Sequence, residues 1–219
     1  MEAAAFEAGR APQGVQLLAV SKTFGSDAVL DAMRAGQIMF GENYLQEALD
    51  KMAAVAGAGA VSGTAPQWHF IGPIQSNKTR LIAEHFDWVH TVEREKIAQR
   101  LSQQRPSIMA PLNICLQVNI SFESSKSGVA PVALRELAQQ VARLPNLRLR
   151  GLMALPAPAA GFEQQRVAFR QLRLLYEALQ ADGLLLDTLS MGMSGDLRAA
   201  IVEGATMVRV GSAIFGSRN

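Results

Sequence analysis

The chain has 219 residues, 49% of them apolar, 18% charged and a net charge of +2, enough to bury a large core as a single domain. A near-neutral balance with no dense Lys/Arg run argues against nucleic acid as a partner. No basic leader with an apolar stretch behind it and no span of about 20 apolar residues argues against a membrane, and the lone Cys115 excludes an internal disulfide and a cysteine-rich metal site. The expectation is a soluble, cytoplasmic protein.

In chain order, the first element is the apolar run Val15–Val20, which ends in Ser21-Lys22-Thr23. A lysine at the exit of a buried strand is an unusual cation, because burial favours the free amine that condenses with aldehydes. Taken alone, Lys22 reads more simply as the start of a solvated loop. Further strands are predicted at Gln37–Gly41, Trp68–Gly72, Trp88–Val92, Asn113–Ile120, Leu147–Leu155, Leu184–Met191 and Met207–Phe215. Amphipathic helical segments fall at Asp27–Ala35, Tyr44–Ala56, Arg94–Gln104, Pro131–Leu144, Phe162–Ala181 and Gly195–Glu203. Strands alternating with helices predict βα units and a parallel sheet. Eight such strands, with no G-x-G-x-x-G fingerprint after any of them, predict a closed α/β TIM barrel over residues 15–219 rather than an open dinucleotide-binding sheet. Residues 1–14 read as a short amino-terminal segment with a shortened helix.

Strand parity then sorts side chains. If Lys22 points into the barrel, Val20 and Leu18 fill the interior below it. In the fifth strand Leu112, Ile114, Leu116, Val118 and Ile120 form an outer apolar face, leaving Asn113, Cys115, Gln117 and Asn119 inside. In the eighth, Arg209 shares the inner face with Met207 and Gly211, and a buried guanidinium demands a partner. Barrel sites lie at the carboxyl ends of the strands, with phosphates held after strands seven and eight. Those loops read Ser190-Met191-Gly192-Met193-Ser194-Gly195-Asp196 and Val210-Gly211-Ser212-Ala213. Ser194-Gly195-Asp196 is expected to open a helix whose amides suit an anion, and Gly211 and Ser212 offer close backbone approach and a hydroxyl. Ser194 as an ordinary N-cap and Gly211 as a plain bulge are the competing readings. An amine-bearing lysine and a phosphate cradle in one domain suggest pyridoxal 5'-phosphate.

Other polar segments follow strands two and three, at Phe40-Gly41-Glu42-Asn43-Tyr44 and Trp68-His69-Phe70-Ile71-Gly72-Pro73. Asn43 can equally cap the next helix, His69 reads as a hydrogen-bonded core histidine ahead of a catalytic base, and Trp68 and Trp88 read as packing. Lys126, in Ser124-Ser125-Lys126-Ser127-Gly128, reads as a solvated loop lysine ahead of a second amine near the cavity mouth, and a second cofactor site is left open at Lys126 or Lys78.

Together, Leu-Leu-Ala-Val-Ser-Lys-Thr, Phe-Gly-Glu-Asn-Tyr, Trp-His-Phe-Ile-Gly-Pro-Ile-Gln-Ser-Asn-Lys, Leu-Arg-Gly-Leu-Met-Ala, Ser-Met-Gly-Met-Ser and Met-Val-Arg-Val-Gly-Ser-Ala-Ile-Phe-Gly resemble the pyridoxal phosphate homeostasis protein family. The resemblance runs in matching order from Val15 to Arg218. It implies the barrel of the alanine racemase amino-terminal domain without a second, β-rich domain. It also implies that Lys22 holds pyridoxal phosphate as a Schiff base and that Ser194, Gly211 and Ser212 hold the phosphate, with Ser190 and Met193 in the same loop. Arg209 would face the pyridine nitrogen, keeping it unprotonated and the ring a weak electron sink. Asn43, His69, Met153 and Asn119 would line the pocket. Phe24 stands where many members carry a further lysine, and the family's longer amino-terminal helix is reduced here.

The function so implied is intracellular vitamin B6 homeostasis: holding the cofactor on Lys22 and releasing it by transaldimination to apo enzymes, as a monomer or weak dimer. The rival is a racemase-like enzyme, which needs a second base that neither Tyr44 nor Tyr176 is placed to supply. A cofactor-free Schiff-base aldolase is the third reading, disfavoured because such enzymes carry their lysine on a later strand.

Overall fold

The computed structural model describes residues 1–59, 63–121 and 127–216. The chain opens with α1 (Glu2–Glu7), then alternates β1 (Gln16–Val20), α2 (Ser26–Arg34), β2 (Met39–Glu42), α3 (Leu45–Gly57), β3 (Gln67–Phe70) and α4 (Thr79–His85). It continues with β4 (Trp88–Val92), α5 (Glu95–Gln104), β5 (Leu112–Gln117), α6 (Pro131–Ala142), β6 (Leu147–Met153), α7 (Phe162–Ala181), β7 (Thr188–Ser190), α8 (Leu197–Val202), β8 (Met207–Val210) and α9 (Ser212–Phe215). The strands pair in order, β1 to β8, and close into a barrel in which β1 pairs in parallel with β8 through Gln16↔Met207 to Ala19↔Val210.

Period-2 alternation builds the two sides of the wall. Ala19, Phe40, Val89, Ile114, Leu116, Leu152, Val208 and Val210 join the main core between sheet and helices, met by helix faces such as Phe169, Leu172 and Leu179 of α7. Small separate clusters, Leu18–Met39–Met207 and Trp88–Cys115–Met153, fill the interior. The parity argued for β5 and β8 is therefore the one observed.

Several boundaries differ from the expected ones. The run Leu184-Leu185-Leu186 is not strand: the Leu186 carbonyl accepts from Tyr176 Oη (2.8 Å) and Gln180 Nε2 (2.9 Å) on α7, and Leu185 is 95% exposed. β8 stops at Val210 because Gly211 O takes the amides of Ile214 and Phe215 and turns the chain into α9. β5 stops at Gln117 because Val129 inserts, bonding Gln117 O and Asn119 N. The helical segment expected from Gly195 begins at Leu197, the helix after the third strand is α4, and α9 replaces the end of the expected eighth strand. Lys126 lies outside the described residues.

Candidate functional site

A cavity of about 300 Å³ opens at the carboxyl ends of the strands. Lys22 enters it from the turn after β1, Asn43 from the end of β2, Met153 from β6 and Arg209 from β8. Met193, Ser194 and Gly195 border it after β7, and Gly211 and Ser212 after β8. Val20, Phe24, Ile71 and Leu155 supply the apolar walls. The Phe24 ring packs 5.2 Å from that of Phe215, tying the turn after β1 to α9 across the barrel seam.

The backbone around the opening is shaped by close approaches. A Cβ on Gly192, which has φ +94°, would stand 2.5 Å from Ala200 Cβ, so only glycine lets the loop turn back over α8. Asp196 Oδ1 accepts from Met193 N at 2.6 Å and fixes the span between them. Asp196, rather than Ser194, is the residue before α8. After β8, Gly211 precedes α9, in which the amides of Ser212 and Ala213 come before the first amide bonded to Gly211 O, that of Ile214.

Below the cavity runs a polar chain inside the barrel. Arg209 Nη1 donates to Ser190 O (2.6 Å) and Ser190 Oγ (2.9 Å), and Nη2 donates to Ala154 O (2.9 Å). Ser190 Oγ lies 2.8 Å from His90 Nδ1, and His90 Nε2 lies 2.9 Å from His69 Nδ1. A guanidinium only donates, so Ser190 Oγ accepts from it, and the hydroxyl and the two imidazoles continue as one chain of polar contacts. At its far end His69 Nε2 is buried with no hydrogen-bond partner among the described residues. His69 stacks on Trp88 with centroids 5.3 Å apart. Burial pushes His69 down to about 3 and His90 well below the ordinary histidine value, so both are neutral. Burial also lowers Arg209, to about 10.

The Arg209 guanidinium, whose interior position demands a partner, finds neutral acceptors within the protein. Its charge nevertheless remains uncompensated by any carboxylate among its hydrogen-bond partners. Nε–H and one Nη2–H are left over, and Asn43 Oδ1 is buried without a partner. A donor-rich cavity lined by Lys22 and Arg209 fits a small anionic ligand.

Three of the expected residues lie off the cavity wall. Ser190 sits beneath Arg209 and His69 lies deeper in the barrel, each fully buried. Asn119 is drawn aside by Val129, whose carbonyl accepts from its amide at 3.0 Å. Sequence reasoning missed His90, which shares a face of β4 with Trp88, because its partners His69 and Ser190 lie 21 and 100 residues away in the chain. Tyr176 is held at Leu186 O and Tyr44 is exposed at the start of α3; neither lines the cavity. Among the described residues, no cluster of His, Cys, Asp and Glu could hold a metal, and no helix is long and apolar enough to cross a membrane.

A family model described as the alanine racemase N-terminal domain matches residues 6–219. The chain is 61% identical over 216 residues to the pyridoxal phosphate homeostasis protein of Pseudomonas aeruginosa, covering 99% of this chain and 90% of that protein. It is 52% identical to that of Escherichia coli over 219 residues, covering 100% and 92% respectively. The structure of PipY from Synechococcus elongatus with pyridoxal phosphate bound is similar at a TM-score of 0.85 and 37% identity, with 97% of each chain covered. Alanine racemase of Clostridium difficile shares the fold at 14% identity and a TM-score of 0.70, over 95% of this chain and 54% of that one.

Proposed function

The chain belongs to the pyridoxal phosphate homeostasis proteins, within the family of the alanine racemase N-terminal domain, and on that premise we propose that it binds pyridoxal 5'-phosphate at Lys22 and hands it on. The observation that carries the reading is Arg209, a buried cation with only neutral partners, in one cavity with Lys22. When bound, the cofactor supplies an aldehyde that condenses reversibly with a primary amine and releases water. Lys22 is the amine within reach. Amides after β7 and β8, with Ser194 and Ser212, would hold the phosphate, and Arg209 would donate to the ring nitrogen without protonating it. Met153 and Asn43 would border the ring, and Ser190, backed by His90 and His69, would fix the guanidinium.

This arrangement suits storage and transfer. Arg209 at the ring nitrogen would leave the ring a poor electron sink, and neither Tyr44 nor Tyr176 lines the cavity to act as a second base. Release would need a second primary amine to take the place of Lys22, and amino acids and the lysines of apo enzymes would supply it. The lone, buried Cys115, its thiol pushed up to about 12 by burial, is inert and compatible with a cytoplasmic setting.

The test is the absorption spectrum of purified protein titrated with pyridoxal phosphate, beside Lys22→Ala. A visible band in the wild type and none in the variant is the expected result. A band that survives in Lys22→Ala moves the attachment to another lysine, and absence of binding in both overturns the reading. Rapid exchange of amino-acid α-protons in deuterated buffer would instead favour the racemase-like enzyme.

A further inference from the structure

The turn that carries Lys22 is held by groups of α3 that do not line the cavity. Ser21 O accepts from Phe24 N at 3.1 Å, so Ser21 to Phe24 form a turn with Lys22 and Thr23 at its centre. Thr23 has φ +69° while Lys22 keeps a negative φ, the pattern of a type II turn, whose third position favours glycine. A β-branched residue there is strained and persists only where its surroundings hold it.

The surroundings are on α3. Lys51 Nζ, buried, donates to Ser21 O at 2.8 Å, which is the carbonyl of the peptide unit preceding Lys22. Glu47 Oε1 accepts from Thr23 N at 2.5 Å, the amide of the peptide unit following Lys22. Glu47 and Lys51 stand one helical turn apart and bond each other at 3.1 Å. Lys51 is anchored in turn by Glu42 Oε1 at 2.5 Å, which also accepts from Ser21 Oγ at 2.6 Å. The ammonium of Lys51 thus has three acceptors for its three protons.

We propose that Glu47 and Lys51 clamp the two peptide units flanking Lys22 and that this clamp aims the Lys22 amine at an aldehyde in the cavity. They are positioning residues that do not touch the cofactor. The proposal rests on the reading of Lys22 given above. It separates the two lysines of the region: Lys22 reacts, and Lys51 is consumed by its acceptors.

The test is Glu47→Ala, because Glu47 is partly exposed and its loss strands no buried charge except through Lys51, which keeps Glu42 and Ser21 O. Affinity is measured for pyridoxal phosphate and for pyridoxine 5'-phosphate, which has the same ring and phosphate but no aldehyde. Glu47→Ala should weaken pyridoxal phosphate about ten-fold, leave pyridoxine 5'-phosphate within two-fold, and speed hydrogen exchange at the Thr23 amide. Glu47→Gln, which keeps an acceptor oxygen, should restore most of the loss. Equal weakening of both ligands, or unchanged affinity for pyridoxal phosphate, overturns the clamp. If wild-type protein binds neither ligand, the cofactor reading fails instead. The clamp is then judged by reductive methylation of Lys22 with formaldehyde, read by peptide mass, which Glu47→Ala should slow and an idle Glu47 would leave unchanged.

Discussion

His69 and His90 are buried neutral bases, and that makes folding sensitive to acid in a definite direction. Both have folded-state values depressed below the unfolded histidine value, His69 to about 3. Above the unfolded value neither state binds a proton and the histidines contribute no pH dependence. As pH falls through 6.5 towards 3, the unfolded chain gains protons that the native state refuses, so stability is lost, by about 1.4 kcal/mol per pH unit for each histidine. His69→Phe, which keeps an aromatic ring against Trp88, should remove about half of the histidine part of that slope. Urea unfolding of both proteins between pH 7 and pH 4 measures it, the carboxylates being common to the two. Parallel slopes would mean that His69 is protonated in the fold. Sequence alone placed His69 in the core but could not see its neighbour, since the bond to His90 spans 21 residues and the next, to Ser190, spans 100.

At the scale of elements, β2 and α3 are joined by a buried ion pair, Glu42 to Lys51, with side chains 0% and 3% exposed. Burial raises Glu42 above the usual carboxylate range, against the opposing pull of its bonds to Lys51 and Ser21. Removing one charge is therefore worse than removing both: Lys51→Met should cost about 3–5 kcal/mol, and Glu42→Gln with Lys51→Met should recover at least half of that. Urea midpoints of the single and double variants decide the matter, and additive losses would refute it. This pair shows where sequence reading stops. The order of strands, the barrel, and the rim positions of Lys22, Asn43 and Arg209 follow from period and parity, which are local. Glu47 and Lys51 follow the same helical period and look like a solvated face; only the packing of α3 on the turn after β1 reveals that one of them is buried. The Leu184–Leu186 run fails as a strand for the same kind of reason, a carbonyl claimed by side chains of α7.

At the scale of the molecule, the barrel is weakest in registered pairing where β7 meets β8, through Ser190↔Met207. The loop that borders the cavity leaves the barrel there and leads to α8. That helix is in turn covered by α1: Ala4 and Ala5 are buried, Arg10 Nη1 donates to Ile201 O at 2.9 Å, and Glu7 pairs with Arg198 in the open. The exposed pair adds little. Two buried alanines and one hydrogen bond at a helix end, where a cation also suits the dipole, together contribute about 2–3 kcal/mol. Deleting residues 1–11 should therefore lower the melting temperature by about 5–10 °C. Affinity for pyridoxal phosphate should hold at temperatures where the shortened chain stays folded, because none of those residues lines the cavity. Melting curves and absorbance titrations of the two chains separate stability from binding. Should affinity fall while the fold survives, the covering of α8 by α1 must also set the shape of the loop from Met193 to Asp196, and the amino terminus would belong to the site.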